Sequence, residues 1–417
     1  MAVSINDGSD NMNAKSENEK IFTKSFFLIF GALLFTSLVM YALMSTVTEY
    51  ATSMGSSATI AGLVSGIYVF GGLCSRIYSG SALETKGWKR IVLIFMTIHF
   101  LACLLYFIVD DVVLLLIVRF IHGIGFGASA NAIVTIATEI LPKNRFGEAF
   151  GYFMLGTTIS IGLGPYIGGF LYDVASSSGC FLAASAFALM GLICVLLLDV
   201  DRYDSLHQKQ QSPAIDDKRY SILEKIFEYD AIPISLFTAL TSLGYVSILS
   251  FYRLYAVEVQ LTSVFSWFFI IYATCLVLTR PVAGKIQDRG GDMIVCMTGI
   301  IAQSVGLFLI AWIPSAITVF ICAICAALGF GTLSSACTTI VTRNANENRR
   351  SYALSTFFIF CDATMGFGPA LLGLFVSESS GYAPLYYLSS MITLMALPIC
   401  VYSLKKKSGK MVCLENA

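Results

Sequence analysis

Three ionisable side chains stand where the surrounding sequence is almost wholly apolar. Asp362, in Cys361-Asp362-Ala-Thr-Met-Gly366, is the only carboxylate deep inside any long apolar run. A carboxylate isolated there tends to take up a proton rather than keep its charge, which suits a proton carrier. The plainer alternative is a structural aspartate bonded to Ser and Thr hydroxyls. Arg119 follows Asp111 by eight residues, which on a helix places it about 12 Å along the axis. At that depth a guanidinium needs a partner or a wet cavity, unless its long side chain reaches back to the surface. His122 lies one helical turn beyond Arg119 and shares its face. Imidazole changes charge near neutral pH, so His122 is a second candidate for proton handling; the bland reading is a hydrogen-bonded packing residue. His99 is a weaker candidate of the same kind. Arg253 and Glu258 are expected to form an exposed gate pair, with an inconsequential surface ion pair as the alternative.

The elements that must hold these residues are transmembrane helices. The chain has 417 residues, of which 57% are apolar and only 12% charged, where soluble domains carry about 25% charged residues. A bilayer-crossing helix needs roughly 20 apolar residues. Twelve stretches qualify: 24–47, 58–79, 90–109, 112–138, 147–172 and 180–199, then 231–252, 262–283, 293–313, 315–341, 351–376 and 383–404. The expected architecture is therefore all-α: six spans in 21–199, six in 231–404. Residues 200–230, with Asp201, Arg202, Lys209, Lys218 and Arg219, read as a cytoplasmic linker containing a short amphipathic helix at 219–229. Residues 1–20 read as a disordered cytoplasmic N-terminus and 405–417 as a cytoplasmic tail. The first apolar run is long enough to span and stay, so no cleavable signal peptide is expected. Of 26 Lys and Arg, 22 fall in the termini and the even-numbered loops. Glu49, Asp110, Asp111, Asp173, Glu258 and Glu378 occupy the odd loops, so both termini are expected in the cytoplasm of a multi-pass cell-membrane protein.

The two halves are copies of one unit. A shift of 204 carries Gly125-Phe126-Gly127 onto Gly329-Phe330-Gly331, Asn144-Arg145 onto Asn348-Arg349, and Gly164-Pro165 onto Gly368-Pro369. It also carries Arg76, Gly80, Glu84 and Gly87 onto Arg280, Gly284, Asp288 and Gly291. Parallel repeats of this kind build two pseudo-symmetric bundles. Asp362 takes the place of Thr158, and Arg119 that of Ala323, so neither belongs to the repeated scaffold. Glu139 has Arg343 as its repeat mate, and a contact at the cytoplasmic gate is expected of it.

The repeated blocks carry a resemblance. The loop after span 2, from Arg76 through Gly80 and Glu84 to Gly87-Trp-Lys89-Arg90, resembles the cytoplasmic signature of the major facilitator superfamily, G-x-L-a-D-r-x-G-r-k. Glu84 and Thr85 depart from the usual Asp and Arg; the second copy, Gly284 to Asp288-Arg289 and Gly291, keeps both. The resemblance implies a latch that holds the halves in the outward-facing state; the bland reading is an ordinary positively charged turn. Arg119 to Gly125 resembles the fourth-span motif R-x-x-q-G-x-g, with His122 replacing Gln, and implies a link to proton transfer. Span 5, with Gly156, Gly164, Pro165, Gly168 and Gly169, resembles the drug:proton antiporter motif g-x₈-G-x₃-G-P-x₂-G-G, with Ser160 replacing one Gly. Generic close packing by small residues is its alternative. The branch resembled implies proton-coupled export of a small amphipathic molecule or drug, with spans 1, 4, 7 and 10 lining a central cavity and a monomer as the default. Export of a specific metabolite such as a metallophore or sugar is an alternative, as is a non-transporting receptor; uptake by symport is disfavoured by span 5.

Other classes find little support. A formal net charge of zero gives no field for nucleic acid. The 12 cysteines are scattered in apolar runs, and Cys322-Ala-Ile-Cys325 has no second ligand pair, so neither disulfides nor metal is expected. With three histidines and no GxSxG, HExxH or GxxxxGK[ST] motif, an enzyme is not expected, no cofactor is implied, and the proton gradient is the implied fuel. Phe26, Phe27, Tyr41, Tyr68, Phe153, Tyr245, Trp267, Phe268, Phe269, Tyr272, Phe357 and Phe358 divide between core, lipid face and cavity in a way the sequence leaves open.

Overall fold

A computed structural model describes residues 20–86, 88–142, 145–199, 228–345, 350–376 and 381–415. All but Lys20 of the expected N-terminal segment 1–20, and nearly all of the linker, lie outside the described residues. What is described is helical: α1 Lys24–Ser53, α2 Ala58–Lys86, α3 Trp88–Leu105, α4 Val112–Ile140, α5 Phe146–Leu196, α6 Ile232–Glu258, α7 Thr262–Asp288, α8 Asp292–Trp312, α9 Ala316–Ala326, α10 Thr332–Asn344, α11 Arg350–Gly373 and α12 Ala383–Glu415. Between α9 and α10, Ala327–Gly331 forms a π-helical turn. Eleven helical runs among the described residues are long and apolar enough to cross a membrane, α9 to α10 counting as one. Exposed Ile94, Leu101, Phe107, Ile117, Leu189 and Phe308 give them an apolar outer surface, as expected of helices facing lipid.

Local chemistry fixes the ends that matter. Asp111 caps α4, its Oδ1 accepting from the backbone of Val113 at 2.7 Å and Leu114 at 2.9 Å, which sets the depth of Arg119. Ser315 and Thr318 form a reciprocal capping box on α9. Gly290 adopts φ +81° and turns the chain between α7 and α8, a conformation that suits glycine. Here the sequence reading needs correcting. The spans expected at 58–79 and 262–283 hold Arg76 and Arg280, but the rest of each signature block was expected as loop, and α2 and α7 continue through it as polar helical tails to Lys86 and Asp288. α12 likewise runs on to Glu415 through the expected tail.

The 51-residue α5 is not one rod. Its backbone leaves the helix at Ala175 (φ −132°, ψ 17°) and Ser176 (φ 57°, ψ −161°). Twelve residues of helix would cover about 18 Å, but the Cys180 thiol donates to the Gly168 carbonyl at 3.0 Å, so the run turns back on itself. The break falls between the spans expected at 147–172 and 180–199.

Four buried clusters form the interior. One, around Phe26, Trp88, Ile136 and Phe153, lies at the end of the molecule where α1 begins, and draws only on residues 21–198. A second, around Phe237, Ile300, Ile340 and Phe357, lies at the same end and draws only on 231–404. A third, around Val47, Tyr106 and Phe181, fills the opposite, far end of the first half. The fourth joins Met44, Tyr68 and Ile161 of the first half to Tyr252, Phe265 and Leu385 of the second. Among the described residues, the halves thus share an apolar core toward the far end only.

Candidate functional site

Between the halves lies a cavity of roughly 340 Å³. α1, α2, α4, α5, α6, α7, α10 and α11 all contribute to its wall, twice the number of spans the resemblance implied. Tyr41, Tyr245, Tyr272, Phe357 and Phe358 of the expected aromatics line it, together with Phe126 and Phe330. Tyr245 stacks on Phe330 at 4.8 Å and on Tyr272 at 5.4 Å. Phe153, Tyr68, Phe268 and Phe269 are core instead, and Trp267 is exposed.

Among the described residues, three charged side chains face this space: Arg76, Arg280 and Asp362. α2 and α11 run in opposite directions, and helical side chains lean toward their own N-termini. Arg76 and Asp362 therefore lean toward each other, and Arg76 Nη1 meets Asp362 Oδ2 at 2.7 Å, joining the two halves. Asp362 is thus paired with a guanidinium rather than with hydroxyls, and Arg76 is a cavity residue rather than part of a surface loop. Arg280, its repeat mate, donates from Nη2 to the Gly331 carbonyl at a long 3.5 Å.

Arg119 and His122 are elsewhere. Both are fully buried and neither lines the cavity. Arg119 Nε donates to the Val64 carbonyl at 3.1 Å, Nη2 to the Ser65 carbonyl at 3.3 Å, and the guanidinium lies 4.3 Å from the centre of the Tyr68 ring. The Tyr106 hydroxyl stands 3.5 Å from Arg119 Nη1 and 3.0 Å from His122 Nδ1. The His99 ring lies tilted beside that of His122, centroids 4.6 Å apart, and neither of its ring nitrogens has a partner among the described residues. Backbone carbonyls and a ring face replace the carboxylate or wet cavity that Arg119 was expected to need.

A family description, Major Facilitator Superfamily, matches residues 29–262 and 234–411. The chain belongs to the Major Facilitator Superfamily. An uncharacterized MFS-type transporter of Methanocaldococcus jannaschii is 24% identical over 355 residues, covering 83% of this chain and 89% of that one. The multidrug resistance protein MdtG of Citrobacter koseri is 23% identical over 343 residues, covering 80% and 82%. The crystal structure of a variant of the nucleoside transporter NupG superposes with a TM-score of 0.72 at 13% identity, over 90% of this chain and 99% of that one. That last likeness concerns the fold. This superfamily member is a membrane transporter.

At the far end the transporter is closed. Arg253, 3% exposed, pairs with Glu49 and, at 2.6 Å, with Asp173, and its Nη1 donates to the Gly169 carbonyl at 3.3 Å. The expected Arg253–Glu258 pair is therefore wrong. Glu258 instead accepts from the Tyr382 backbone at 2.9 Å, and Arg253 crosses to the other half, where two carboxylates outbid one. Sequence reasoning missed this lock, although 253 minus 49 is the repeat offset of 204. Below the lock, α2 and α11 touch backbone to backbone. A methyl group on Gly66 would fall 1.6 Å from the Gly366 carbonyl oxygen, and one on Gly62 2.3 Å from that of Pro369. The span-5 motif packs elsewhere: a methyl on Gly168 would meet the carbonyl of Ala42 in α1 of the same half at 2.5 Å, and one on Gly169 the ring of Phe265 in α7 of the other half at 2.9 Å. Gly164 abuts Tyr41, Gly156 faces Leu34, and Pro165 lies within α5.

Of the expected latch, Gly284 has open space around it and Arg289 is exposed in the turn after α7. Gly87 and the surroundings of Gly80, Glu84 and Asp288 lie outside the described residues. At that end Arg343 pairs with Asp292, to which Gln287 also donates at 3.2 Å.

Proposed function

We propose that this protein is a proton-coupled secondary transporter that moves a small amphipathic molecule through the central cavity by alternating access. On this reading the halves are two six-helix bundles, twelve spans in all with α5 counted as two, and both termini lie in the cytoplasm of a cell-membrane protein acting as a monomer. The observation that carries it is the Arg76–Asp362 pair, an ionisable tie between the halves inside a membrane-embedded cavity. A proton on Asp362 removes the negative charge that holds Arg76, so the tie loosens, and loss of the proton restores it. The two single-half clusters at the termini end and the shared core at the far end are what an inward-open resting state requires. Export in exchange for protons is the direction supported by the span-5 motif and by a relative named for multidrug resistance. Co-transport is the second reading, favoured by the excess of guanidinium over carboxylate in the cavity.

The test is proton flux in proteoliposomes carrying a pH-sensitive dye. Asp362→Asn is expected to keep substrate counterflow while losing substrate-driven proton movement. Native-like proton movement in the folded variant refutes Asp362 as the proton site.

A further inference from the structure

We infer that the cavity holds an amphipathic organic monoanion, such as an aromatic carboxylate, with Arg280 as its charge partner. Among the described residues, two guanidiniums and one carboxylate face the cavity, an excess of one positive charge. Arg76 is satisfied by Asp362 at 2.7 Å. Arg280 is not: among the described residues no carboxylate pairs with it, its Nε is buried without a partner, and its Nη2 makes only the long contact to Gly331. A buried donor left unsatisfied costs the desolvation of that group, and an arginine fork matches a carboxylate in shape as well as charge. The surroundings select the rest of the molecule. Tyr272 lies beside Gly331, and with Tyr245 and Phe330 forms a stacked aromatic wall next to the cation. A flat apolar body with one anionic end meets both features at once, whereas a cation would face net repulsion.

This rests on the reading of Asp362 as the proton site, and it selects co-transport. The titratable and charged groups lining the cavity are Arg76, Arg280, Asp362, Cys361 and the tyrosines at 41, 245 and 272. A proton on Asp362 frees Arg76, so proton and anion strengthen each other's binding. The loaded, protonated cavity then carries the same net charge as the empty, ionised one, and the same charge crosses in both legs of the cycle.

The experiment is equilibrium binding to the full chain in lipid nanodiscs, using three radiolabelled probes of one shape: 2-naphthoate, 2-naphthylmethanol and 2-naphthylmethylammonium. Naphthoate is expected to bind best. Arg280→Gln is expected to weaken it by roughly 10-fold or more, the scale of a lost charge-assisted hydrogen bond, with the neutral probe little changed and Arg280→Lys partly restoring the anion. Asp362→Asn is expected to tighten naphthoate. Preference for the ammonium probe, or naphthoate binding indifferent to Arg280→Gln in a protein with native melting behaviour, overturns the inference. If Asp362→Asn still couples to protons while Arg280 governs naphthoate binding, the proton-site reading fails and the anion site stands.

Discussion

Gly66→Ala tests whether the far-end seam belongs to one state of a two-state machine. The added methyl would sit 1.6 Å from the Gly366 carbonyl oxygen and 2.7 Å from its carbon. A carbon and a carbonyl oxygen come no closer than about 3.3 Å, so α2 and α11 must part by roughly 1.7 Å at this level. Both obstacles are helix backbone, and no side chain can rotate away. Overpacking of this kind costs about 1–3 kcal/mol. The cost falls only on the state in which the far end is closed; a state in which the two helices separate there escapes it. The closed-to-open ratio should therefore drop by about 5- to 150-fold. Hydrogen–deuterium exchange by mass spectrometry in nanodiscs reads this directly: peptides from the far halves of α2 and α11 should exchange faster, and those from the termini end of the same helices slower. Gly284→Ala, at a position with nothing within 4 Å, should change neither. Exchange in Gly66→Ala that matches the native protein, or that quickens equally at both ends, refutes a state-specific seam.

Two further predictions concern the buried arginines. Arg253→Gln strips the partner from Glu49 and Asp173 and should cost about 3 kcal/mol or more of far-end closure. The exchange pattern should match that of Gly66→Ala, and Glu49→Gln should do less because Asp173 remains. Tyr106→Phe removes the hydroxyl shared by Arg119 and His122 and should lower stability by about 1–3 kcal/mol, seen as a fall in melting temperature. Probe affinity should stay native, since none of these residues lines the cavity; a selective loss of affinity with native melting would refute this purely structural role.

The spans were legible because a bilayer demands long apolar runs, and the break in α5 at Ala175–Ser176 falls where the sequence divided spans 5 and 6. The seam glycines were legible as small residues, though not which carbonyl each would meet. Arg76 and Arg280 fell inside the spans expected at 58–79 and 262–283, but their place in the cavity wall was not legible, because hydropathy marks where lipid ends and not which helix face meets the other half. Asp362 was found by its isolation, but its partner lies 286 residues away, a distance no local pattern encodes. The lock between Glu49 and Arg253 was hidden for a different reason. A repeat search looks for like residues, and an acid aligned with a base reads as divergence.

That divergence is what the proposed two-fold relation between the bundles requires. Two points exchanged by a rotation axis can touch only where both lie close to it. Glu49 and Arg253 are repeat mates in direct contact, so they sit near the axis at the far end. Arg76 with Arg280, Tyr41 with Tyr245, and Phe126 with Phe330 are mates that line one cavity, as an axial cavity must be lined. Arg119 and His122, whose mates are Ala323 and Ala326, are packed off the axis within one half. A charge kept identical in both copies would meet its own kind at the axis and drive the halves apart. Closure of the far end therefore needs one copy to become acid and the other base, whereas a cavity for an anion can keep its arginine in both copies and place a single carboxylate, Asp362, to neutralise one of them.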